Sequence, residues 1–421
     1  MERVGDARKA LALVADRFYD YPSRKLSLVG ITGTNGKTTT THLIESVLRH
    51  AGRRVGLIGT IAYRFGGIEM EAARTTPEAP DLQALLERMV NLGADSTVME
   101  VSSHALALHR VDGCEFDVAV FTNLTQDHLD FHGTMEAYQS AKLSLFEGLG
   151  IETTKATDKA AVINLDDPAA DLFLRATQAG CYTYSLERPA DLLATDISIG
   201  LEGIHCRLRT PWGTRDIRSG LLGRYNLSNI LASAATGLHL GASLAEVEEG
   251  ILELRQVPGR CERVEEGQEF GVMVDYAHTP DALDRVLRMA RECCPGRLIA
   301  LFGSGGDRDR QKRPLMGAAA VRLADFTVIT SDNPRSEDPL QIIQAIEEGA
   351  KKVWGQGRGY VIISDRAMAI REALSLAQRG DMVVIAGKGH ETYQIVGDRT
   401  IPFDDRQVAR EALRELGFGR G

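Results

Sequence analysis

Tryptophan is nearly absent, with 2 residues in 421, aromatics make up only 6% of the chain, and cysteine occurs 6 times. Cys114, Cys181, Cys206, Cys261, Cys293 and Cys294 are too scattered for a disulfide framework. They contain no CxxC pair, which excludes a stapled secreted module and a zinc ribbon and fits a reducing cytoplasm. No run of about 18 apolar residues occurs. The start, MERVGDARKALALVADRFYDYP, lacks an apolar stretch of signal-peptide length, so nothing in the sequence directs the chain to a membrane. Positive charge is also short: 49 Lys+Arg face 58 Asp+Glu, a formal net charge of -9. A general nucleic-acid or membrane-surface binder needs a cationic footprint that this balance does not supply. What is present is ordinary globular composition, 43% hydrophobic and 25% charged with 42 Gly and 13 Pro spread along the length. The length suits two to three domains.

From Leu26 onward, strand-like apolar runs alternate with helix-like segments, the pattern of an α/β fold on a mostly parallel sheet. KLSLVGIT reads as a strand, GTNGKT as a loop, and TTTHLIESVLRHAG as a helix. Leu43, Ile44, Val47 and Leu48 share one face of that helix, and Gly52 stops it. STVME and DVAVFTN are short apolar runs, and Ile197 to Arg218 alternates like antiparallel strands. NLSNILASAATGLHLG reads as a helix closing a first large domain, and a Pro-Gly break at Gln256-Val257-Pro258-Gly259 marks the boundary. Beyond it, EFGVMVDYAH, RLIALFGSGG, DFTVITSDNP and DMVVIAGKGH are each a strand ending in a polar or Gly-rich loop. Ligands of open α/β sheets sit beyond the carboxyl ends of strands, so these loops read as a site.

Gly33-Thr34-Asn35-Gly36-Lys37-Thr38 lies between strand and helix, where backbone N–H groups can cradle phosphates. Lys37 is placed to reach phosphates and Thr38 a Mg²⁺ ion. A strict GxxxxGK[ST] pattern would put glycine where Ile31 stands. Glu100, at the end of the STVME run, is placed like a carboxylate for the same ion, beside Ser102-Ser103-His104. Asp127-His128-Leu129-Asp130-Phe131-His132 could be read as a zinc cluster, but no third segment has ligand spacing, so zinc is the weaker reading. Lys142, by spacing alone, is an ordinary helix lysine.

TGTNGKTTT, ARTTPE, EVSSHALALHRV, FTNLTQDHLDFHGTMEAYQSAKLSLF, NLSNILAS, VPGRCERV, VDYAHTPDAL, FGSGGDRDRQKRPLM, SDNPRSEDP and AGKGHETYQ follow in this order. Together, across about Val4 to Phe403, they closely resemble the Mur ligases. The resemblance implies a central P-loop ATP-binding domain, 25–255, and a C-terminal Rossmann-like amino-acid-binding domain, 256–421. It implies the reaction in the cleft between them, and residues 1–24 as a linker left from an N-terminal uridine-diphosphate-binding domain that the family carries ahead of it. The implied activity is ATP-dependent addition of meso-diaminopimelate to UDP-N-acetylmuramoyl-L-alanyl-D-glutamate through an acyl phosphate, by a cytoplasmic, monomeric enzyme of peptidoglycan synthesis.

Gly33, Thr34, Asn35, Gly36, Lys37, Thr38 and Thr39 match the ATP phosphate loop. Thr38, Glu100, His128 and Lys142 match metal ligands for Mg²⁺, with Lys142 as a carbamate, and Lys37, Lys142, His128 and Glu100 carry the catalytic roles. Asn226, Asn229, Arg260, Asp275, Tyr276 and His278 match positions around the nucleotide. Thr75, Thr76, Ser102 and Arg110 match contacts to the muramoyl peptide. Arg308, Asp332, Asn333, Arg335, Gly387 and Glu391 match the pocket for the incoming amino acid. Two other readings stay open at this level: a folate polyglutamate ligase, which shares TGTNGKT, and an inactive nucleotide-binding scaffold descended from a ligase.

Overall fold

Strands with apolar residues on both faces are stable only where both faces are covered, and the central strands of the two large sheets of this chain are buried along their length. A computed structural model describes residues 4–151, 154–200, 202–353, 355 and 359–419. The chain divides into two compact units. The first holds Met1–Ser198, Ile204–Gly220 and Arg224–Arg255, and the second Ile199–Gly203, Leu221–Gly223 and Gln256–Gly421.

The strands of the first unit are β1 (Ser27–Thr32), β2 (Val55–Ile58), β3 (Ala62–Phe65), β4 (Ile68–Glu71), β5 (Ser96–Glu100), β6 (Val118–Phe121), β7 (Ala160–Asn164), β8 (Gly180–Ser185), β9 (Leu192–Gly200), β10 (Gly203–Thr210) and β11 (Gly213–Ser219). They form one sheet in the order β11-β10-β9-β8-β7-β6-β1-β5-β2-β3-β4. β1 is central, parallel to β5 on one side and to β6 on the other. β10 and β11 pair antiparallel, as the alternating pattern from Ile197 to Arg218 suggested. The helices are α1 (Ala7–Phe18), α2 (Lys37–His50), α3 (Ala79–Asn91), α4 (Ser103–Ala107), α5 (Leu129–His132), α6 (Met135–Glu147), α7 (Ala170–Ala176), α8 (Arg224–His239) and α9 (Leu244–Glu253). α1 lies within the segment expected to be a linker. It starts because the Asp6 side chain accepts from the N–H groups of Arg8 and Lys9. One face of the sheet packs into a core with Leu28, Met99, Phe121, Phe146 and Phe173, where the rings of Phe121 and Phe173 stack at 3.7 Å.

In the second unit β12 (Glu262–Arg263), β13 (Gly271–Asp275), β14 (Leu298–Phe302), β15 (Phe326–Ile329), β16 (Gly359–Ile362) and β17 (Met382–Ala386) form a sheet in the order β12-β13-β17-β14-β15-β16. Apart from β12, its neighbours are parallel. A separate hairpin joins β18 (Tyr393–Val396) to β19 (Arg399–Pro402). α10 (Pro280–Cys293), α11 (Lys312–Leu323), α12 (Pro339–Val353), α13 (Arg366–Ser375) and α14 (Asp405–Glu415) complete the unit. Successive strand residues point to opposite faces. Met273, Ala300 and Phe302 therefore join one core with Leu287, while Val272, Ile299 and Leu301 join another with Leu413. Parallel pairing places the carboxyl ends of β13, β14, β15 and β17 on one edge, and the loops that leave it carry Tyr276, Gly305, Asn333 and Lys388. Among the described residues, no helix is long and apolar enough to cross a membrane.

Candidate active site

The loop between β1 and α2 is shaped by two glycines. Gly33 has φ +148 and Gly36 φ +87, and a Cβ would lie 1.9 Å from Thr122 Oγ1 at Gly33 and 2.5 Å from Asn229 Oδ1 at Gly36. Only glycine fits there. Ile31 sits inside β1, paired with Glu100 of β5, so the loop begins two residues later than the strict phosphate-loop pattern requires. Gly36 is the N-cap of α2 and supplies no side-chain cap, which leaves the positive end of the helix facing the loop. Thr34 Oγ1 is hydrogen-bonded to the Tyr138 hydroxyl at 3.0 Å and accepts from Thr125 N at 2.9 Å. Asn35 N donates to Asn123 Oδ1 at 3.0 Å. These bonds tie the loop to the segment after β6 and to α6.

Two lysines converge on it. Lys37 Nζ donates to Gly33 O at 2.9 Å and to Thr34 O at 2.8 Å. Lys142 Nζ, reaching in from α6, donates to the same Gly33 oxygen at 2.8 Å and is 1% exposed. Burial, with Lys37 adding to it, holds the Lys142 amine well below the usual lysine range. Its methylene chain and amine lie against Tyr138, with Nζ 4.5 Å from the ring centroid.

Glu100 is buried and fully engaged: Thr38 Oγ1 donates to its Oε2 at 3.0 Å, Thr60 N to its Oε1 at 2.8 Å and Thr60 Oγ1 to its Oε2 at 3.1 Å. Thr38 and Glu100 thus place two hard oxygen donors side by side at the helix N-terminus, a set that fits Mg²⁺ completed by phosphate and water. Among the described residues no group of three or more His, Cys, Asp or Glu side chains could hold a metal by itself. His128 stands in a left-handed conformation at the start of α5, its Nε2 3.4 Å from Asp127 Oδ2, and its ring meets His104 edge to face at 4.7 Å. His104 in turn lies 5.6 Å from the His132 ring. Thr39 is buried in α2.

Asn226 and Asn229 come to the same loop from α8. Asn229 Nδ2 donates to Asn226 Oδ1 at 3.0 Å, and Thr40 Oγ1 donates to Asn229 Oδ1 at 3.3 Å. Thr75, Thr76, Ser102 and Arg110 also gather around the end of β5. Thr75 Oγ1 is 3.1 Å from Thr60 Oγ1, Thr76 Oγ1 donates to Glu100 O at 2.9 Å, and Ser102 N donates to Thr76 Oγ1 at 3.2 Å. Arg110 is held by Thr76 O at 3.1 Å and Glu78 Oε1 at 2.7 Å.

The second unit assembles a separate set. Asp275, at the end of β13, accepts from Cys261 N and Ala277 N, both at 2.8 Å. The Arg260 guanidinium lies 5.0 Å over the Tyr276 ring, and His278 Nδ1 is 2.8 Å from Tyr276 O. Asp332 packs against Gly387, where a Cβ would lie 2.5 Å from Asp332 Oδ2. Asn333 Nδ2 donates to Glu391 Oε2 at 2.9 Å. Arg335 Nη1 donates to Gly306 O at 2.7 Å, and both Arg335 and Arg308 flank Gly305. Sequence reasoning passed over Thr60, Tyr138 and Lys388, all of which bond directly to predicted site residues. The signal available for each was weak: a threonine after β2, a tyrosine four residues before Lys142, and a lysine between two glycines after β17.

Comparison with known proteins bears on what these sets belong to. The Mur ligase middle domain matches residues 31–237, and the Mur ligase glutamate ligase domain matches residues 259–389. A relative from Geobacillus thermodenitrificans, named UDP-N-acetylmuramoyl-L-alanyl-D-glutamate--2,6-diaminopimelate ligase, is 51% identical over 98% of this chain and 84% of its own length. The chain belongs to the Mur ligase family. A Solibacter usitatus ligase of the same name is 49% identical over 99% of this chain and 83% of its own. A solved structure of that name superposes with a TM-score of 0.71 at 36% identity, covering 99% of this chain and 86% of that one. Folylpolyglutamate synthase from Mycobacterium tuberculosis gives a TM-score of 0.72 at 18% identity, covering 98% of this chain and 96% of that one, which shows that the Mur ligase fold is shared with that enzyme and nothing more.

Proposed function

We propose that this Mur ligase is an ATP-dependent amide ligase that joins meso-diaminopimelate to UDP-N-acetylmuramoyl-L-alanyl-D-glutamate, in the cytoplasm and as a monomer. In this reading residues 25–255 form the ATP-binding domain and 256–421 the amino-acid-binding domain. The observation that carries it is the Lys37 amine held at the carbonyl oxygens of Gly33 and Thr34, in a glycine loop at the uncapped N-terminus of α2. An ammonium so placed serves an anion, and a polyphosphate is the polyanion that fits a helix N-terminus.

A substrate carboxylate oxygen attacks the γ-phosphorus of ATP, ADP leaves, and an acyl phosphate forms. The amine of the second substrate then attacks the acyl carbon, inorganic phosphate leaves, and the amine gives up a proton. Both steps build negative charge on oxygen, so the residues required neutralise charge and orient rather than attack. Lys37 and the α2 N-terminus would hold the phosphates, and Thr38 with Glu100 would hold Mg²⁺. When bound, the ion would supply neutralisation of the phosphate charge. The buried amine of Lys142 fits carbamylation, since the neutral amine adds carbon dioxide and releases a proton. The product is a further hard oxygen donor beside the loop, and His128 would complete the ligand set from α5. Thr75, Thr76, Ser102 and Arg110 would receive the peptide end of the acceptor, and Asn226, Asn229, Arg260, Asp275, Tyr276 and His278 the nucleotide.

For the amino acid, Arg335 and Arg308 offer planar guanidinium groups to the distal carboxylate of diaminopimelate, which L-lysine lacks. Asp332, Asn333, Gly387 and Glu391 frame the ammonium end. The test is phosphate release measured with each substrate omitted in turn. Release must require ATP, the UDP-linked dipeptide and diaminopimelate together. ATP binding without release under any combination would favour a non-catalytic nucleotide-binding role.

A further inference from the structure

Lys388 follows Gly387 directly after β17 and is 0% exposed, yet its Nζ sits among polar groups. It donates to Asn333 Oδ1 at 3.1 Å and to Glu391 Oε2 at 3.0 Å. Asn333 Nδ2 donates to the same Glu391 oxygen at 2.9 Å, so the three side chains close a ring of hydrogen bonds. Ile395 N also donates to Asn333 Oδ1, at 3.0 Å. Two donors on Oδ1 fix which way the Asn333 amide points, because a flipped amide would set its NH₂ against the lysine and the Ile395 N–H. Two donors on Oε2 likewise fix the Glu391 rotamer and leave Oε1 as the oxygen to meet a ligand. Arg335 N donates to Ile395 O at 3.0 Å, so Arg335 and the ring are registered to the same residue of β18.

The electrostatic consequence is specific. Glu391 alone would be an anion attracting any cationic side chain. With the Lys388 ammonium bonded to it, the pair is neutral, and among the remaining residues of the assigned pocket the two arginines, Arg308 and Arg335, outnumber the one carboxylate, Asp332. An amino acid whose far end is only an ammonium then gains little, whereas one that brings a carboxylate with its ammonium gains the arginine contact at no cost from Glu391. We propose that Lys388 is the positioning residue that sets selectivity for a diamino dicarboxylate over a diamino monocarboxylate, acting through Glu391 and Asn333. This rests on the amino-acid pocket assigned under the proposed function.

The experiment compares kcat/KM for meso-diaminopimelate and for L-lysine in the unmutated protein and in Lys388→Met, with the KM for ATP measured alongside. A hydrogen bond to a charged group carries about 1.5–3 kcal/mol, so the selectivity ratio should fall by roughly 10- to 150-fold, through the KM for diaminopimelate, while the KM for ATP stays put. A merely structural role would lower stability and active fraction but leave the ratio unchanged, and that result overturns the proposal. Lys388→Met/Glu391→Gln should lose no more selectivity than the worse single variant, because the lysine acts through the glutamate. Fully additive losses would overturn that route. Should Lys388→Met not fold, Lys388→Gln, which keeps a donor for Glu391 but removes the positive charge, must lower the ratio in the same direction. An unchanged ratio there also overturns the proposal. An unmutated protein that uses neither amino acid refutes the pocket assignment itself, whereas an active protein with an unmoved ratio refutes only the part given to Lys388.

Discussion

Arg366→Met should unfix the strand ends that carry the amino-acid pocket. Arg366 and Asp405 are both fully buried; Nε donates to Asp405 Oδ1 and Nη2 to Oδ2, each at 2.7 Å. The same guanidinium donates to Ser331 O at 3.1 Å and to Ala386 O at 3.0 Å, the residues just before Asp332 and Gly387. Methionine would fill much of the volume but leave a buried carboxylate without its partner and two carbonyls without this donor. Breaking one side of a buried pair costs about 3–5 kcal/mol, which is roughly a 150- to 5,000-fold change in an opening equilibrium. Hydrogen exchange followed by mass spectrometry reads this locally, on peptides spanning β15 and β17, without assuming that both units unfold together. The amides of these two strands should exchange faster by that factor, and those of β1 and β5 should not change. Replacing both partners, in Arg366→Met/Asp405→Leu, removes the stranded charge and should recover most of the loss, to within about 1–2 kcal/mol of the unmutated protein. A single substitution costing under about 1 kcal/mol, or a double one costing the sum of both, would refute the reasoning.

Three further outcomes are expected. Lys142→Ala should lower phosphate release by at least about 10²-fold, and added bicarbonate should stimulate the unmutated protein at mildly alkaline pH but not the variant; equal bicarbonate responses would count against carbamylation. Arg335→Ala should lose on the order of 30- to several thousand-fold in kcat/KM for diaminopimelate with the KM for ATP unchanged, as expected for about 2–5 kcal/mol from an unpaired charge; a loss confined to ATP kinetics would reassign the residue. Burial raises the Asp16 carboxyl on α1 to about 6, above its unfolded value, so the folded state holds the proton more tightly and stability falls as pH rises from about 4 through 6. Asp16→Asn should therefore raise the melting temperature at pH 7.5 and change it little at pH 4; the same shift at both pH values would refute this.

The alternation of apolar runs with helical periodicity determined the α/β class, because strand and helix periods are local properties of the chain. The glycine loop was legible for the same reason: positive φ at Gly33 and Gly36 and a helix start at Lys37 lie within a few residues of one another. The apparent failure of the phosphate-loop pattern at Ile31 has a tertiary explanation, since that residue is a buried strand position in register with Glu100. Lys142 had no distinguishing mark in its own helix, and only the parallel placement of the strands brings its amine to Gly33, 109 residues earlier. Lys388 meets Asn333 across 55 residues and Arg366 meets Asp405 across 39. No spacing rule encodes those meetings. They are set by the strand order β13-β17-β14-β15, which places loops distant in sequence side by side on one edge and buries the long cations where each must find an oxygen partner.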